Sequence, residues 1–183
     1  MGIATSIKIF IYPDETKLLL LSSGGLFTSD PDGSNQVYIQ AGSYYSTYVY
    51  NESTGFIYIL ENTNGDIWRN TTPLDFITFT NLGNFFPSYA IGFGFVQKAN
   101  ANRIIFGGGT HLKYTDDLFT GATDISLPLG NLQFLVYEGK DNILAVTFDS
   151  ITYRSYRSTD NGLTWPFQSF PLGLNAVYAG CKV

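Results

Sequence analysis

A single cysteine, Cys181, and a single histidine, His111, are all that the chain has of either residue. Neither an intrachain disulfide nor a Cys/His zinc centre can form from them, so no metal ligands and no cofactor are expected. Basic residues are scarce too, ten Lys plus Arg against fifteen Asp plus Glu, for a net charge of −5. Proteins that grip a phosphate backbone do so largely through such cations, so nucleic acid is not an expected partner. No apolar run approaches the roughly 18 residues of a membrane span, and the first ten residues lack the basic stretch and long apolar stretch of a secretory signal. Helical periodicity is missing as well. No segment sets a 3.6-residue apolar pattern between caps, so almost no helix is expected.

What is present is apolar and aromatic. Hydrophobic residues make up 44% of the 183 and aromatics 16%, enough for a substantial core, and nineteen glycines are scattered along the chain as turn residues would be. The apolar residues recur. Short runs begin at Leu18, Ile57, Ile104 and Ile143, separated by 39, 47 and 39 residues. Small-residue endings follow at Gly42, Gly83, Gly130 and Gly173. A period near 40 with strand-like contents is the signature of propeller blades.

Each repeat divides into four strands. An alternating first strand is expected over 7–12, 44–50, 91–97 and 132–137, followed by a polar turn and then the continuous apolar run. A third strand carries an aromatic, at Phe27, Trp68, Tyr114 and Tyr153, and a fourth is expected over 36–40, 76–80, 124–127 and 165–170. A strand covered on both faces has no reason to alternate, which places the continuous runs inside a stack of sheets. The reading is all-β: a small β-propeller of about four four-stranded antiparallel blades, 1–42, 43–83, 84–130 and 131–173, plus one extra C-terminal strand within 174–183. Residues 174–179 either fasten the first blade to the last or pair with another subunit, because an unpaired edge invites aggregation.

The fourth repeat contains Ser158-Thr-Asp160-Asn-Gly162-Leu-Thr164-Trp165. These residues match the Ser-x-Asp-x-Gly-x-Thr-Trp pattern, and on them the chain resembles the Asp-box (BNR-repeat) sialidase-like propellers. Gly162 permits the positive φ of a tight turn, and Ser158 and Asp160 can bind turn backbone. Trp165 is expected to pack between blades. The other copies are worn. The first keeps Ser29 and Gly33 but has Pro31 at the aspartate position, the third has Thr115-Asp116-Asp117 without the glycine, and the second keeps only Ile67-Trp68-Arg69-Asn70. The resemblance implies a structural turn remote from any active site, and fold alone does not name a function.

A sialidase in that family clamps its substrate with three converging arginines. Here Arg69, Arg154 and Arg157 fall on third strands and Arg103 begins a second, which is a different arrangement. Most acids fall in turns, where solvation explains them. His111, after Gly107-Gly108-Gly109-Thr110, reads as a loop residue with no nucleophile motif beside it. The stretch from Asp30 to Asn35 departs from calcium-loop spacing. No catalytic residue is expected. Strand aromatics read as core filling. If a sugar were stacked, Trp68, Tyr44, Tyr45 and Tyr89 are the candidates. The function expected is a non-enzymatic structural or interaction propeller. Low Lys and Cys with high Tyr, Asn, Thr and Gly resemble a virion or phage surface or tail component, with protein partners or a homo-oligomer. A carbohydrate-binding module is the alternative and a glycoside hydrolase the third reading. The matching locations are a virion or extracellular surface, or else the cytoplasm.

Overall fold

The computed structural model describes residues 7–41, 47–52, 54–61, 65–85, 92–97, 102–116, 119–127, 130–139 and 141–168. These form sixteen strands in four antiparallel four-stranded sheets, each a meander in chain order. The first sheet holds β1 (Ile7–Ile11), β2 (Leu18–Ser22), β3 (Gly25–Ser29) and β4 (Val37–Gln40). The second holds β5 (Thr47–Asn51), β6 (Phe56–Leu60), β7 (Asp66–Asn70) and β8 (Phe79–Asn84). The third holds β9 (Gly92–Gln97), β10 (Ile104–Gly108), β11 (His111–Thr115) and β12 (Thr123–Ile125). The fourth holds β13 (Asn131–Gly139), β14 (Asn142–Phe148), β15 (Tyr153–Ser158) and β16 (Phe167–Gln168). No described residue is helical. The chain is a β-propeller, as its period predicts.

The continuous runs become the second strand of each sheet, and in the second and third sheets their two sets of alternate residues bury against different neighbours. Leu19 and Leu21 pack with Ile57 and Ile59 between the first two sheets. Tyr58 and Leu60 pack with Ile104 and Phe106 between the second and third. Ile105 packs with Leu132, Ile143 and Ala145 between the third and fourth. All of these are 2% exposed or less. Each fully buried aliphatic of this size contributes about 1.5–3 kcal/mol, so the stack is held mainly by its middle strands. The described core is three inter-sheet layers.

Two expectations need correction. The fourth strand of the second repeat is Phe79–Asn84 rather than 76–80, and it runs past the expected repeat boundary at residue 83. Phe76 is instead 3% exposed in the first inter-sheet layer, its ring 4.4 Å from Tyr12 and 5.3 Å from Phe10. The reason is local: the Asp75 carboxylate accepts the Ile77 N–H at 2.9 Å and the Thr78 hydroxyl at 2.5 Å, which makes a turn where a strand was expected. His111 is not in a loop but opens β11, paired with Gly108. The turn between them needs only Gly109, at φ 56, and Thr110. Gly107 lies within β10, where a Cβ would stand 2.5 Å from a Leu132 methyl of the next sheet. Residues 174–179 lie outside the described residues.

Candidate functional site

The two ends of the strands differ in chemistry. At one end, where third strands turn into fourth, each sheet finishes its third strand with a buried polar residue: Ser29, Asn70, Thr115 and Ser158, all 2% exposed or less. Ser29, Thr115 and Ser158 stand opposite Leu18, Ile104 and Ile143, the first residues of their apolar runs, and Asn70 accepts the Ile57 N–H at 2.9 Å. A buried polar side chain must find partners, and each finds them in the adjoining turn. Asn70 also donates to the carbonyls of Gly55 and Thr72, at 3.2 and 2.8 Å. The Thr115 hydroxyl accepts the Phe119 N–H at 3.1 Å. The Ser29 hydroxyl donates to the Asp30 carbonyl at 3.1 Å.

The five motif residues Ser158, Asp160, Gly162, Thr164 and Trp165 are brought together in the fourth of these turns. Ser158 Oγ donates to Asp160 at 2.8 Å and accepts the Gly162 N–H at 2.7 Å. The Asp160 carboxylate accepts the N–H groups of Leu163 and Thr164, at 3.0 and 2.9 Å, and the Thr164 hydroxyl at 2.6 Å. Partial desolvation pushes its pKa up, but the bonds from Thr164, Ser158 and Leu163 outweigh that and hold it at about 2. The turn also docks on the third sheet. Gly162 sits against Ile105, the Trp165 indole bonds the Gly162 carbonyl at 3.0 Å while packing in the third core layer, and Arg103 reaches the Asn161 carbonyl at 3.3 Å. These contacts tie the turn to the third sheet.

In the first sheet Asp30 stands in for the aspartate that Pro31 displaces. It accepts Asn35 at 2.5 Å and Ser34 at 3.4 Å, and pairs with Lys17. These bonds, led by the one from Lys17, hold its carboxyl below the usual range, and they occupy both of its oxygens. The arginines pair locally. Arg103 binds Asp116 through two bonds of 2.7 Å, Arg154 pairs with Asp149 at 3.0 Å, and Arg157 pairs with Glu138 at 2.9 Å. Arg69 lies over the Phe56 ring at 4.4 Å. They do not converge.

At the other end, where second strands turn into third and the chain crosses between sheets, an open groove of about 710 Å³ lies between the second and third sheets. Asn84 and Phe85 border it from the end of β8, His111 and Lys113 from β11, and Asp124 and Ile125 from β12. The β11–β12 register builds its polar side: Lys113 and Asp124 are cross-strand partners, and their side chains meet at 2.5 Å. Lys113 is 12% exposed and Asp124 74%, so the lysine stem lies along apolar surface while its charge reaches the rim. The Phe85 ring meets Phe106 and Phe119 edge-on, at 6.1 and 5.3 Å. β11 thus spans both ends, with His111 in the groove and Thr115 at the opposite end.

Of the glycan candidates, Trp68 packs against the first core layer and donates its indole N–H to Glu61 at 2.9 Å, away from the groove. Tyr44, Tyr45 and Tyr89 lie outside the described residues. Phe85 and the Lys113–Asp124 pair were not anticipated. The pair carries a faint sequence signal, a lysine and an aspartate on successive strands, which is readable only once the register is known.

No family model matches the chain, and no curated protein sequence is significantly similar to it. Its fold is shared with solved structures. A GH74 xyloglucanase from Xanthomonas campestris superposes with a TM-score of 0.67 at 16% identity, over 87% of this chain and 29% of that one. An auxiliary nutrient binding protein from Bacteroides thetaiotaomicron gives 0.63 at 11%, over 85% and 39%. A chain of a nidogen/laminin complex gives 0.64 at 11%, over 84% and 60%. The chain therefore spans less than two thirds of each, and at these identities the likeness is one of fold, shared by an enzyme and by binding proteins alike.

Proposed function

We propose that the chain is a non-enzymatic interaction propeller that seats a protein partner in the groove between its second and third sheets. The observation that carries this reading is the makeup of the groove. It sets Phe85 and Ile125 beside a polar rim, and its carboxylate, Asp124, is committed to Lys113. Glycoside hydrolysis needs two carboxyl groups about 5 to 9.5 Å apart, and no second acid lines the groove among the described residues. A concave, mixed surface at the end of a rigid sheet stack suits recognition. The Lys-poor, Tyr- and Asn-rich composition extends the reading to a component of a larger assembly, such as a virion or tail surface.

The test is a comparison of wild type with Ile125→Asp and Lys113→Glu. A purified partner that binds wild type and is lost from both variants supports the reading. Turnover of aryl-glycosides that disappears in Asp124→Asn would overturn it. A carbohydrate ligand is the second reading, favoured by an aromatic ring beside hydrogen-bonding groups, and a glycan array decides between the two.

A further inference from the structure

The repeat makes the burial of one sheet checkable against the others. In the second strand of each later sheet, the first and third residues of the apolar run face the preceding sheet: Ile57 and Ile59, Ile104 and Phe106, Ile143 and Ala145. All six are 1% exposed or less. Their first-strand partners, such as Tyr48 and Tyr50 or Leu135 and Tyr137, join the same layers. The first sheet has the same residue pattern, and among the described residues no sheet packs on that face. Leu18 and Leu20 are only half-buried, and their partners Ile9 and Ile11 are 51% and 58% exposed. The register extends the row from Ile9 through Leu20 and Phe27 to Tyr38, itself 53% exposed, with the last two rings 5.1 Å apart. A soluble sheet carries an apolar row across all four strands when another surface covers it.

The opposite kind of face, the one each sheet offers to the next, is carried by the second and fourth residues of the run. Leu19 and Leu21 offer it in the first sheet and Tyr58 and Leu60 in the second. In the fourth sheet the same positions are Leu144 and Val146, accompanied by Val136, Phe148 and Tyr153. Val146 is buried, the other four are half-buried, and Arg157, paired with Glu138, bounds the face. Among the described residues no core layer joins the fourth sheet to the first. One end of the arc thus presents what the other end is patterned to receive.

We infer that the first-sheet face built on Ile9, Ile11, Leu20 and Phe27 is covered by the fourth-sheet face of a second copy of this chain, head to tail. The continuity of the repeat carries the inference: the missing occupant has the chemistry of the face that covers the equivalent residues three times within the chain. Two arcs of four sheets joined at both junctions close a ring of eight blades, within the size range of propellers. A head-to-tail contact that closes on itself gives a discrete particle and not a fibre. The inference does not depend on what occupies the groove.

The experiment is native mass spectrometry and light scattering on the whole chain at tens of micromolar. The expected result is a particle of twice 20.3 kDa. Ile9→Asp with Ile11→Asp should reduce it to single chains with an unchanged melting curve for the isolated arc, because both side chains are already half in water. Leu144→Asp should do the same from the other end. Mixing the two variants should restore a two-chain particle through the one intact junction, whereas an interface of first sheet on first sheet would leave Leu144→Asp dimeric and would overturn the head-to-tail arrangement. A wild-type chain that stays at 20.3 kDa, or a ladder of open polymers, overturns the ring.

Discussion

Replacing Gly162 with alanine tests whether the Ser158–Trp165 turn is what seats the fourth sheet on the third. Gly162 has φ +85, and a Cβ built there stands 2.2 Å from Ile105 Cδ1. The backbone contribution is about 1 kcal/mol for a left-handed alanine. The clash must be relieved by moving Ile105, which is 1% exposed in the third core layer, and overpacking of this kind costs about 1–3 kcal/mol. The sum, about 2–4 kcal/mol, should lower the melting temperature by roughly 5–12 °C in a domain of this size. Ile105→Val removes the clashing methyl and by itself costs about 1 kcal/mol. If the clash is the cause, the double variant should be about 1–2 kcal/mol more stable than the two single costs predict, as urea unfolding followed by circular dichroism will show. Additive costs would refute the docking account, and a neutral Gly162→Ala would refute the strain as well.

Other perturbations follow from the same contacts. Asp160 has a folded pKa of about 2 against 3.8 for the free carboxyl, so its stabilisation is complete above about pH 4 and is lost as pH falls toward 2. After discounting for solvent screening it amounts to about 1 kcal/mol, and Asp160→Asn should flatten the acid limb of a stability–pH curve by that much. Asn70→Ala leaves the Ile57 N–H and two carbonyls without their side-chain partner in a buried turn, for a loss of about 2–3 kcal/mol in urea unfolding. Lys113→Met keeps the stem and removes only an exposed-rim ion pair, so it should change stability by less than about 1 kcal/mol. Lys113→Ala should cost visibly more, because the stem is the buried part.

Much of the architecture was legible before any coordinates. The runs beginning at Ile57 and Ile104 lack alternation because both of their faces are covered, and the runs beginning at Leu18 and Ile143 carry the same pattern with one face in a core layer. The turn from Ser158 to Trp165 was legible because its hydrogen-bonding side chains find partners within eight residues of chain. The Phe79–Asn84 strand was misplaced because Asp75 turns the chain where β-propensity alone favours extension. Asp30 went unread as a replacement aspartate because its partners Lys17 and Asn35 come from two different turns.

Period and pattern are local properties, so the sequence by itself determined that the chain is all-β, that it repeats four times and that its middle strands are buried. Tertiary structure alone decided which sheet faces meet. It set Lys113 across from Asp124 and Phe85 beside them in a groove, and it left Ile9 and Ile11 in water although their sequence pattern matches that of buried residues. The physical reason is that burial belongs to a pair of surfaces. A sequence specifies one member of the pair, and only the assembled stack shows whether the other is there.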